Sequence, residues 1–374
     1  MRFSLSSSAL SNNLGILSKV ISNKNSMPIL GCFLFEIQDG QLTITASDSE
    51  NVLKAINPLD ESDGDGVFAV DSQKILDAVR ELPEQPLTFD VNIENNTICV
   101  VYQNGMYNFT TQNADEYPRI QFAPTEVTTI TMNSGVLLNN ISRTLFATAS
   151  EELRPVMNGI YFDITSDYMA IVASDGSKLV RNRNFVVKTE TPTSFILPKK
   201  PATLLKNILN KESGDVVIQF DNRSAMISFP EGKLTCRLIE GRYPNYNSVI
   251  PQDNPNHLRV ERKMLISALR RVMPFASESS QLVRFKVEMG KLELSSEDID
   301  FATSARESMV CEYEGIPMQI GFKGSSMTEI LNNIDSEEVI IELADPSRAG
   351  VVVPSEQPEN EEVLMLVMPM LLND

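Results

Sequence analysis

Hydrophobic and polar positions follow one arrangement that occurs three times along this chain. Each copy begins with apolar residues at helical spacing, which places them on one face of an amphipathic helix. These residues are Leu10, Leu14 and Leu17 in the first copy, Leu137, Ile141 and Leu145 in the second, and Leu265, Leu269 and Val272 in the third. Leu10, Leu137 and Leu265 are separated by 127 and 128 positions.

A pair of predicted strands follows each of these helices. The runs CFLFEI and LTITAS, IYFDI and MAIVAS, and RFKVEM and KLELSS alternate apolar with polar residues and are rich in β-branched side chains, which is typical of strands. Asp39-Gly40 stands between the first two runs and indicates a tight turn, so we expect antiparallel hairpins. A polar turn closes each pair and contains, in order, Asp48, Asp175 and Asp298.

Each copy continues with a second helix and ends at a proline. The apolar stripes of the second helices are Ile75, Ala78 and Leu82, then Ala202, Leu205 and Leu209, then Met327, Ile330 and Ile334. The closing prolines are Pro118, Pro244 and Pro369. A repeat of this length is a whole domain, since solenoid units are only about 20–50 residues long. We therefore predict three α+β domains at residues 1–124, 125–252 and 253–374, each with two helices on one face of antiparallel sheet.

Composition limits the classes of function. The chain has 374 residues and a net charge of −18, which argues against a protein that binds nucleic acid over its whole surface but leaves room for one basic face. The four cysteines lack metal-site spacing and predict buried free thiols in a reducing compartment: Cys32, Cys99, Cys236 and Cys311. The N-terminus has no apolar signal region and no run is long enough for a membrane span, so we expect a cytoplasmic protein with no membrane partner.

Catalytic signatures are missing from the sequence. The single histidine, His257, lies in a polar stretch and is expected at the surface, and no nucleotide-binding or hydrolase motif occurs. The aspartates that recur once per copy favour turn chemistry over a shared active site, although an enzyme using them remains an alternative. We expect no metal and no cofactor. The acidic stretch from Pro354 to Glu362 is predicted to be a solvated loop.

Several short motifs resemble one family over the whole length of the chain. They are MRFSLSSSALSNNL at the start, MPILG at 27–31, NGIYF at 158–162, VASDGSKL at 172–179, GRYPNY at 241–246 and VMPM at 367–370. Together they resemble the bacterial DNA polymerase III β subunit, the replicative sliding clamp. The resemblance implies a non-catalytic homodimeric ring of six domains, with helices around a central hole and sheets outside. Such a ring encircles duplex DNA and tethers the polymerase, and its implied location is the nucleoid during replication.

Domain size is consistent with this implied architecture. A domain of about 125 residues has a radius of gyration of roughly 14 Å and a diameter of about 36 Å. Six such bodies in a ring leave a hole of about one diameter, whereas three leave about 6 Å by the same geometry. A duplex is roughly 20 Å wide, so two chains are needed to enclose it.

The basic residues of the predicted helices are candidates for weak, non-specific contact with DNA phosphates. They are Lys19, Lys74, Arg80, Arg143, Lys206, Arg270 and Arg271. The resemblance adds positions that are basic or face DNA in the family: Lys24, Arg154, Lys199 and Lys200. The stretch from Glu151 to Val156 departs from the polar and tyrosine residues that the family has there.

The resemblance also implies a hydrophobic cleft that takes a short linear peptide. Its residues would be Met157, Ser174, Gly176, Ser177, Lys178, Leu179, Pro244, Ser248, Val249, Val367, Met368, Pro369 and Met370. Flexible methionine side chains suit a surface that accepts several partners. Two positions, Ser177 and Ser248, are smaller than in well-known relatives, and the ending LLND at 371–374 replaces a basic residue and adds two more.

The implied partners are the DNA polymerase III α subunit, the clamp loader, repair polymerases and a second copy of the chain. In the implied dimer, Tyr107 and Phe109 of one protomer meet Pro274 and Phe275 of the other, head to tail. The remaining alternative outside catalysis is a repeat-domain scaffold that binds peptides without encircling DNA.

Overall fold

Helices occur twice in each repeat, as the sequence predicts. The structure is a computed structural model that describes residues 1–22, 27–119, 126–150, 153–210 and 213–372. Within these ranges the helices are α1 Ser7–Leu17, α2 Ser72–Arg80, α3 Ser134–Thr144, α4 Lys199–Leu209, α5 Arg262–Val272 and α6 Gly324–Asn332. Some positions singled out in the sequence lie outside the described residues: Lys24, the predicted boundary near 122–125, and residues 151–152 and 373–374.

Strands make up most of the remaining regular structure. In chain order they are β1 Arg2–Ser6, β2 Cys32–Gln38, β3 Gln41–Ser47, β4 Asn51–Pro58, β5 Glu61–Ser62, β6 Gly66–Asp71, β7 Pro86–Asn92, β8 Thr97–Tyr102, β9 Gly105–Gln112, β10 Thr128–Asn133, β11 Gly159–Ile164, β12 Met169–Ser174, β13 Lys178–Asn184, β14 Thr193–Pro198, β15 Asp215–Phe220, β16 Ser224–Phe229, β17 Gly232–Arg237, β18 Asn256–Glu261, β19 Leu282–Glu288, β20 Lys291–Asp298, β21 Thr303–Val310, β22 Glu312–Tyr313, β23 Met318–Lys323, β24 Glu338–Leu343, β25 Gly350–Pro354, β26 Glu361–Val367 and β27 Pro369–Met370. The strand pairs β2–β3, β11–β12 and β19–β20 are antiparallel, so the predicted hairpins are confirmed.

Local chemistry explains where the helices begin. The Ser6 hydroxyl accepts a hydrogen bond from the Ala9 N–H at 3.1 Å and so caps α1, and the Asp71 carboxylate does the same for the Lys74 N–H at 2.9 Å in α2. The predicted stripe of α1 is buried. The stripe of α2 was predicted wrongly in part, because α2 ends at Arg80 and buries Ile75 together with Leu76 and Val79.

The chain forms two compact units that divide the central repeat between them. The first comprises Met1–Leu138 and Lys200–Leu238. It holds one sheet of thirteen described strands in the order β10-β15-β16-β17-β4-β3-β2-β6-β9-β8-β7-β1-β5. Stacked phenylalanines lie in its core, with ring centroids 4.8 Å apart for Phe3 and Phe89 and 5.1 Å apart for Phe35 and Phe68.

The second unit comprises Asn139–Lys199 and Ile239–Asp374. Its described strands form a nine-stranded sheet in the order β14-β11-β12-β13-β26-β25-β24-β18-β22 and a five-stranded sheet in the order β21-β20-β19-β23-β27. The apolar faces of α5 and α6 are buried in one cluster with Phe285 and Phe322. A smaller cluster contains Tyr243 and Tyr246.

Strand pairing continues across the junctions between repeats. In the first unit, Ala55 of β4 lies opposite Gly232 of β17. In the second unit, Asn182 of β13 lies opposite Val363 of β26. Consecutive repeats therefore share a hydrogen-bonded sheet, because the last hairpin of one repeat extends the first strands of its predecessor.

Two sequence predictions about individual residues need correction. Cys99 is only half-buried, whereas Cys32, Cys236 and Cys311 are buried and all four are free thiols. Burial, reinforced by the nearby Asp71 charge, raises the pKa of Cys32 to about 11. The stretch Pro354–Glu362 is not solvated throughout, since its last two residues open β26 and form ion pairs. His257 is exposed, within β18.

Candidate peptide-binding, DNA-facing and dimer surfaces

The turn between β12 and β13 brings together one side of the predicted peptide cleft. The Ser174 hydroxyl donates to the Lys178 carbonyl at 2.8 Å and accepts from the Gly176 N–H at 3.1 Å. The Met368 N–H then donates to the Ser177 carbonyl at 2.8 Å. These bonds fix the terminal strand against the turn, so two parts of the predicted cleft that are distant in sequence lie side by side.

Lys178 is buried in an ion-pair network at this turn. Its ammonium lies 2.6 Å from Asp175 Oδ2 and 3.2 Å from Glu329 Oε2. Burial by itself would lower the pKa of Lys178, but the two carboxylates outweigh it and the net pKa is raised. The Lys178 charge is therefore neutralised within the protein, and this residue supports the cleft rather than offering a free cation to a ligand.

Only some of the apolar residues predicted for the cleft are exposed. Met368 is 44% exposed and Val249 is 54% exposed, and Pro244 is also exposed. Val367 and Leu179 are buried in the core, and Met157 is buried as well. These three residues therefore add little exposed surface to the cleft in this structure, and their part in peptide binding stays a prediction.

Arg154 lies at this cleft. Gly176 has a positive φ of 90°, and a Cβ there would be 2.9 Å from Arg154 Nη1. The positive φ explains why glycine stands at position 176, since other side chains rarely adopt this backbone conformation, and the close contact shows that the Arg154 guanidinium packs against the turn. The sequence assigned Arg154 to DNA, whereas the structure places it beside a peptide-cleft residue.

A cavity that the sequence analysis missed includes Met370, the last residue of the predicted cleft, and its wall is mixed, with Lys286, Glu288 and Gln319 among its polar residues. It has a volume of about 510 Å³, and Met370 is in its wall together with Met318, Pro346, Leu371 and Leu372. The sequence signal for this cavity is the ending LLND, whose Leu371 and Leu372 are in the cavity wall. Met370 belongs to the short strand β27, and the exposed Met368 directly precedes that strand.

The predicted DNA-facing cations fall into two groups. Lys74, Arg80, Lys199, Lys206 and Arg270 are exposed. Arg143 instead pairs with Glu361 at a largely buried position, and Arg271 pairs with Glu307. Lys19 donates to the side chain of Asn207 at 2.9 Å. The prediction that Arg143 offers its charge to DNA is wrong, because a carboxylate within the protein already neutralises it.

Lys200 links two repeats inside the first unit. Its ammonium donates to Asp48 Oδ2 at 2.5 Å and to the Val20 carbonyl at 2.6 Å. Asp48 also accepts hydrogen bonds from the N–H groups of Glu50 and Asn51. Burial would raise the pKa of Asp48, but these hydrogen bonds outweigh it and hold the pKa below its ordinary value. The Lys200 ammonium is thus bound by groups of the protein itself.

Replacement of Asp48 by asparagine is expected to loosen this junction. The free energy of opening at β3 and β4 should fall by about 1–3 kcal/mol at neutral pH, because a buried charged acceptor is lost. Since the folded pKa is depressed, the native carboxylate gives its full stabilisation above the unfolded pKa of about 3.9 and loses it as pH falls through the folded pKa. Amide hydrogen exchange at several pH values measures both effects.

The exposed Asp60 in the same unit provides the matched control for this prediction. Its replacement by asparagine should leave exchange at β3 and β4 unchanged. Equal effects of the Asp48 and Asp60 substitutions would contradict the assigned role of the Asp48 carboxylate.

The other recurring aspartates also serve their own turns. Asp175 accepts from the N–H groups of Ser177 and Lys178, and Asp298 accepts from those of Asp300 and Phe301. Among the described residues, no group of three or more His, Cys, Asp or Glu side chains is placed to hold a metal ion. These aspartates therefore act as turn residues, as their sequence positions indicate.

The predicted dimer residues of the first unit lie on a strand that is partly open on one side, and those of the second unit lie near a terminal strand of a sheet. In β9 the residues from Gly105 to Thr110 pair with β8, while pairing with β6 involves only Thr111 and Gln112. Tyr107 and Phe109 lie on this strand, with ring centroids 6.3 Å apart. Among the described strands, β21 pairs only with β20 and forms the edge of the five-stranded sheet. Pro274 and the 39% exposed Phe275 follow α5 in the same unit.

None of the helices in the part of the chain that the structure describes is long and apolar enough to cross a membrane.

Repeated two-helix domains with shared antiparallel sheets and an exposed methionine-containing cleft define a protein of the sliding-clamp class. The sequence matches the N-terminal domain of the DNA polymerase III beta subunit at residues 1–121, its central domain at 131–245 and its C-terminal domain at 247–371. The chain belongs to the DNA polymerase III beta subunit family. It is a replicative sliding clamp, a processivity factor rather than an enzyme.

Individual relatives are similar over their full length. The chain is 24% identical over 373 residues to the beta sliding clamp of Pseudomonas putida and 26% identical over 372 residues to that of Escherichia coli, with complete coverage of both chains in each case. The DnaN sliding clamp of Pseudomonas aeruginosa, solved bound to griselimycin, matches with a TM-score of 0.93 at 24% identity. The beta subunit of Thermotoga maritima matches with a TM-score of 0.90 at 26% identity. Both structural matches cover all of each chain.

Proposed function

We propose that two copies of this chain close head to tail into a ring around duplex DNA. A dimeric ring is the form known for the family. The observation that carries the proposal for this chain concerns two of the open strand edges among the described residues: β9 is unpaired on its second side from Gly105 to Thr110 in the first unit, and β21 is a terminal strand of the five-stranded sheet in the second. An exposed edge is a template for pairing with another chain, and one edge of each kind per protomer suits a closed heterologous dimer.

Exposed cations support weak contact of this ring with DNA. Lys74, Arg80, Lys206 and Arg270 lie on α2, α4 and α5, at exposed positions of helices whose opposite faces are buried. We assign them to screened contacts with phosphates, which position a protein on DNA without reading sequence. This set excludes three cations that are paired with carboxylates of the protein, namely Arg143, Lys200 and Arg271. It also excludes Arg154, which lies at the cleft.

We assign the cleft around Met368 and Val249 to short peptide segments of partner proteins. Exposed apolar side chains at these positions, together with the exposed Pro244 of the predicted set, offer a surface that different sequences can contact. The proposed partners are the polymerase III α subunit, the clamp loader and repair polymerases, met in the cytoplasm where the chromosome is replicated.

Retention on circular DNA tests the proposed enclosure. The protein should stay on nicked circular DNA after loading by a matched clamp loader, even at a salt concentration that removes ordinary phosphate contacts, because a topological link does not depend on counterion release. It should leave within the same buffer once the circle is cut. The measurement is the amount of clamp that co-elutes with DNA in gel filtration.

Retention on linearised DNA would contradict enclosure and favour ordinary binding. Failure to load, combined with a monomeric state in sedimentation equilibrium, would favour the peptide-binding scaffold.

A further inference from the structure

One segment of the predicted peptide cleft, residues 243–250, has buried and exposed residues in alternation. Tyr243, Tyr246 and Ile250 are buried, whereas Pro244 and Val249 are exposed. The cleft residues of this segment therefore stand on short stretches of chain between buried side chains. Since an exposed stretch is held in place by the buried contacts on either side of it, these contacts decide where the cleft residues lie.

Tyr243 is held by stacking. Its ring lies parallel to that of Tyr161 on β11, with ring centroids 4.7 Å apart and an angle of 1° between the ring planes. Tyr243 is 6% exposed, and both rings pack in the smaller apolar cluster of the second unit. Packing of this kind keeps the segment against β11, but burial of apolar surface has little directional preference.

Tyr246 is held by a directed hydrogen bond. Its hydroxyl donates to Asp163 Oδ2 at 2.7 Å, and Asp163 lies two residues after Tyr161 on β11. Side chains two residues apart on a strand point to the same face, so one face of β11 receives both tyrosines of the segment. The Tyr246 ring meets the Tyr161 ring edge-on, with centroids 6.2 Å apart and an angle of 63° between the planes. A hydrogen bond to a carboxylate is about twice as strong as one between neutral groups.

The Tyr246 hydroxyl stays in its protonated, donating form. Burial, together with the hydrogen bond to the Asp163 carboxylate, raises the pKa of Tyr246. The side chain is 5% exposed, so a hydroxyl that lost Asp163 would have little access to water in exchange. The bond is therefore costly to break, and it fixes the place of Tyr246 on β11.

The chain turns tightly between Tyr246 and the exposed Val249. Residues Tyr246–Val249 form one short 3-10 helix. The Ser248 hydroxyl donates to the Asn245 carbonyl at 2.7 Å, and the Ser248 N–H donates to the same carbonyl at 3.3 Å. Because this turn is bonded within itself, a shift of the Tyr246 ring moves Val249 with it.

We propose that Tyr246 is a positioning residue of the peptide cleft, which holds Val249 in place through its hydrogen bond to Asp163. The inference rests on the cleft proposed above and names a residue outside the predicted set. Tyr246 makes no contact with the peptide. Its hydroxyl limits the conformations of the turn, so that a peptide meets a cleft wall that is already formed, and less order has to be imposed on binding.

Tyr246→Phe tests the role of the hydroxyl, because the substitution keeps the ring. We expect the turn to occupy its competent arrangement about one tenth of the time, which raises the apparent dissociation constant of a peptide about tenfold. Fluorescence anisotropy of the full-length protein measures this change, with a peptide from the clamp-contacting segment of the polymerase III α subunit as the probe. Methyl NMR of labelled Val249 should show increased mobility in the same variant.

Substitutions of Asp163 test the hydrogen bond itself. Asp163→Ala removes the acceptor and should weaken peptide binding as much as Tyr246→Phe, whereas Asp163→Asn keeps an acceptor oxygen and should retain affinity within about twofold. The double variant with Tyr246→Phe and Asp163→Ala should bind no more weakly than either single variant, since both changes remove the same bond. Equal losses in Asp163→Asn and Asp163→Ala would overturn the role of this bond, and so would additive losses in the double variant.

Tyr313→Phe provides the matched control. Tyr313 is 2% exposed and its hydroxyl donates to the Ile316 carbonyl at 2.6 Å, so the substitution removes a comparable buried hydrogen bond in the same unit. Tyr313 lies on β22, the last strand of the nine-stranded sheet, whereas β11 is the second strand. Tyr313→Phe should lower the melting temperature and leave peptide affinity unchanged. An equal loss of affinity in Tyr313→Phe and Tyr246→Phe would reveal a general effect of destabilisation and overturn the proposal.

Met368→Asp separates this inference from the assignment of the cleft. If Met368→Asp abolishes peptide binding while Tyr246→Phe binds as tightly as the native protein, the cleft stands and the positioning role of Tyr246 is wrong. If Met368→Asp also binds as tightly as the native protein, the assignment of the cleft fails and the positioning role fails with it.

Discussion

Replacement of Phe275 by aspartate is expected to convert the dimer into monomers. The closed dimer contains two copies of the proposed joint, so the substitution acts twice. Loss of a buried aromatic anchor costs about 2–4 kcal/mol per joint, and the dimer dissociation constant should therefore rise by about 10³-fold or more. Sedimentation equilibrium over a range of protein concentrations measures this change directly, and retention on nicked circular DNA should be lost in parallel.

Phe185 provides the matched control, because it is 40% exposed against 39% for Phe275 and lies in the same unit. Phe185→Asp should leave the dimer intact. A monomeric Phe185 variant would show that any added charge disturbs assembly, and a dimeric Phe275 variant would remove this residue from the joint. Phe109→Asp examines the opposite side of the same joint and should match the effect of Phe275→Asp.

The substitution Met368→Asp is expected to abolish most peptide binding while the ring stays dimeric. A charge at the most exposed apolar position of β26–β27 would have to be desolvated by an incoming peptide, and the methionine contact would be lost as well. We expect affinity for a fluorescent peptide from the clamp-contacting segment of the polymerase III α subunit to fall by about 100-fold. Fluorescence anisotropy measures the affinity, and sedimentation checks the oligomeric state.

Val186→Asp serves as the control, since this valine is 66% exposed in the same unit and follows β13 at the end where Asn184 pairs with Glu361, opposite to the end where Lys178 pairs with Val367. Its replacement should leave peptide affinity unchanged. An equal loss in both variants would point to a general charge effect and would contradict the cleft. Truncation before Val367 is a poorer experiment, because Val367 is 1% exposed and pairs with both Lys178 and Gly350, so its loss would disturb the sheet.

The repeating pattern predicted the elements well because each repeat buries its apolar residues in the same way. The helices at Leu10, Leu137 and Leu265 and the three hairpins follow from local spacing alone. The end of α2 could not be predicted from spacing, because Leu82 continues the helical pattern although the helix ends at Arg80. The proposed division at residues 124 and 252 stays a prediction, and the two compact units group the central repeat differently.

The role of individual charges could not be predicted from sequence. Arg143 looks like an exposed helix cation until β26 brings Glu361 against it from 218 residues away. Lys178 similarly looks like a cleft residue, but Glu329 of a later helix neutralises it. Local patterns carry no information about which distant carboxylate a cation meets.

The shared sheets at the two internal junctions have a mechanical consequence. Pulling β4 from β17, or β13 from β26, requires a whole ladder of backbone hydrogen bonds to yield together, because the load acts along every bond of the pair. The joint between protomers is the place where no covalent chain crosses. When a strained ring opens to admit DNA, the gap should therefore form between chains rather than at either of these two internal sheet junctions.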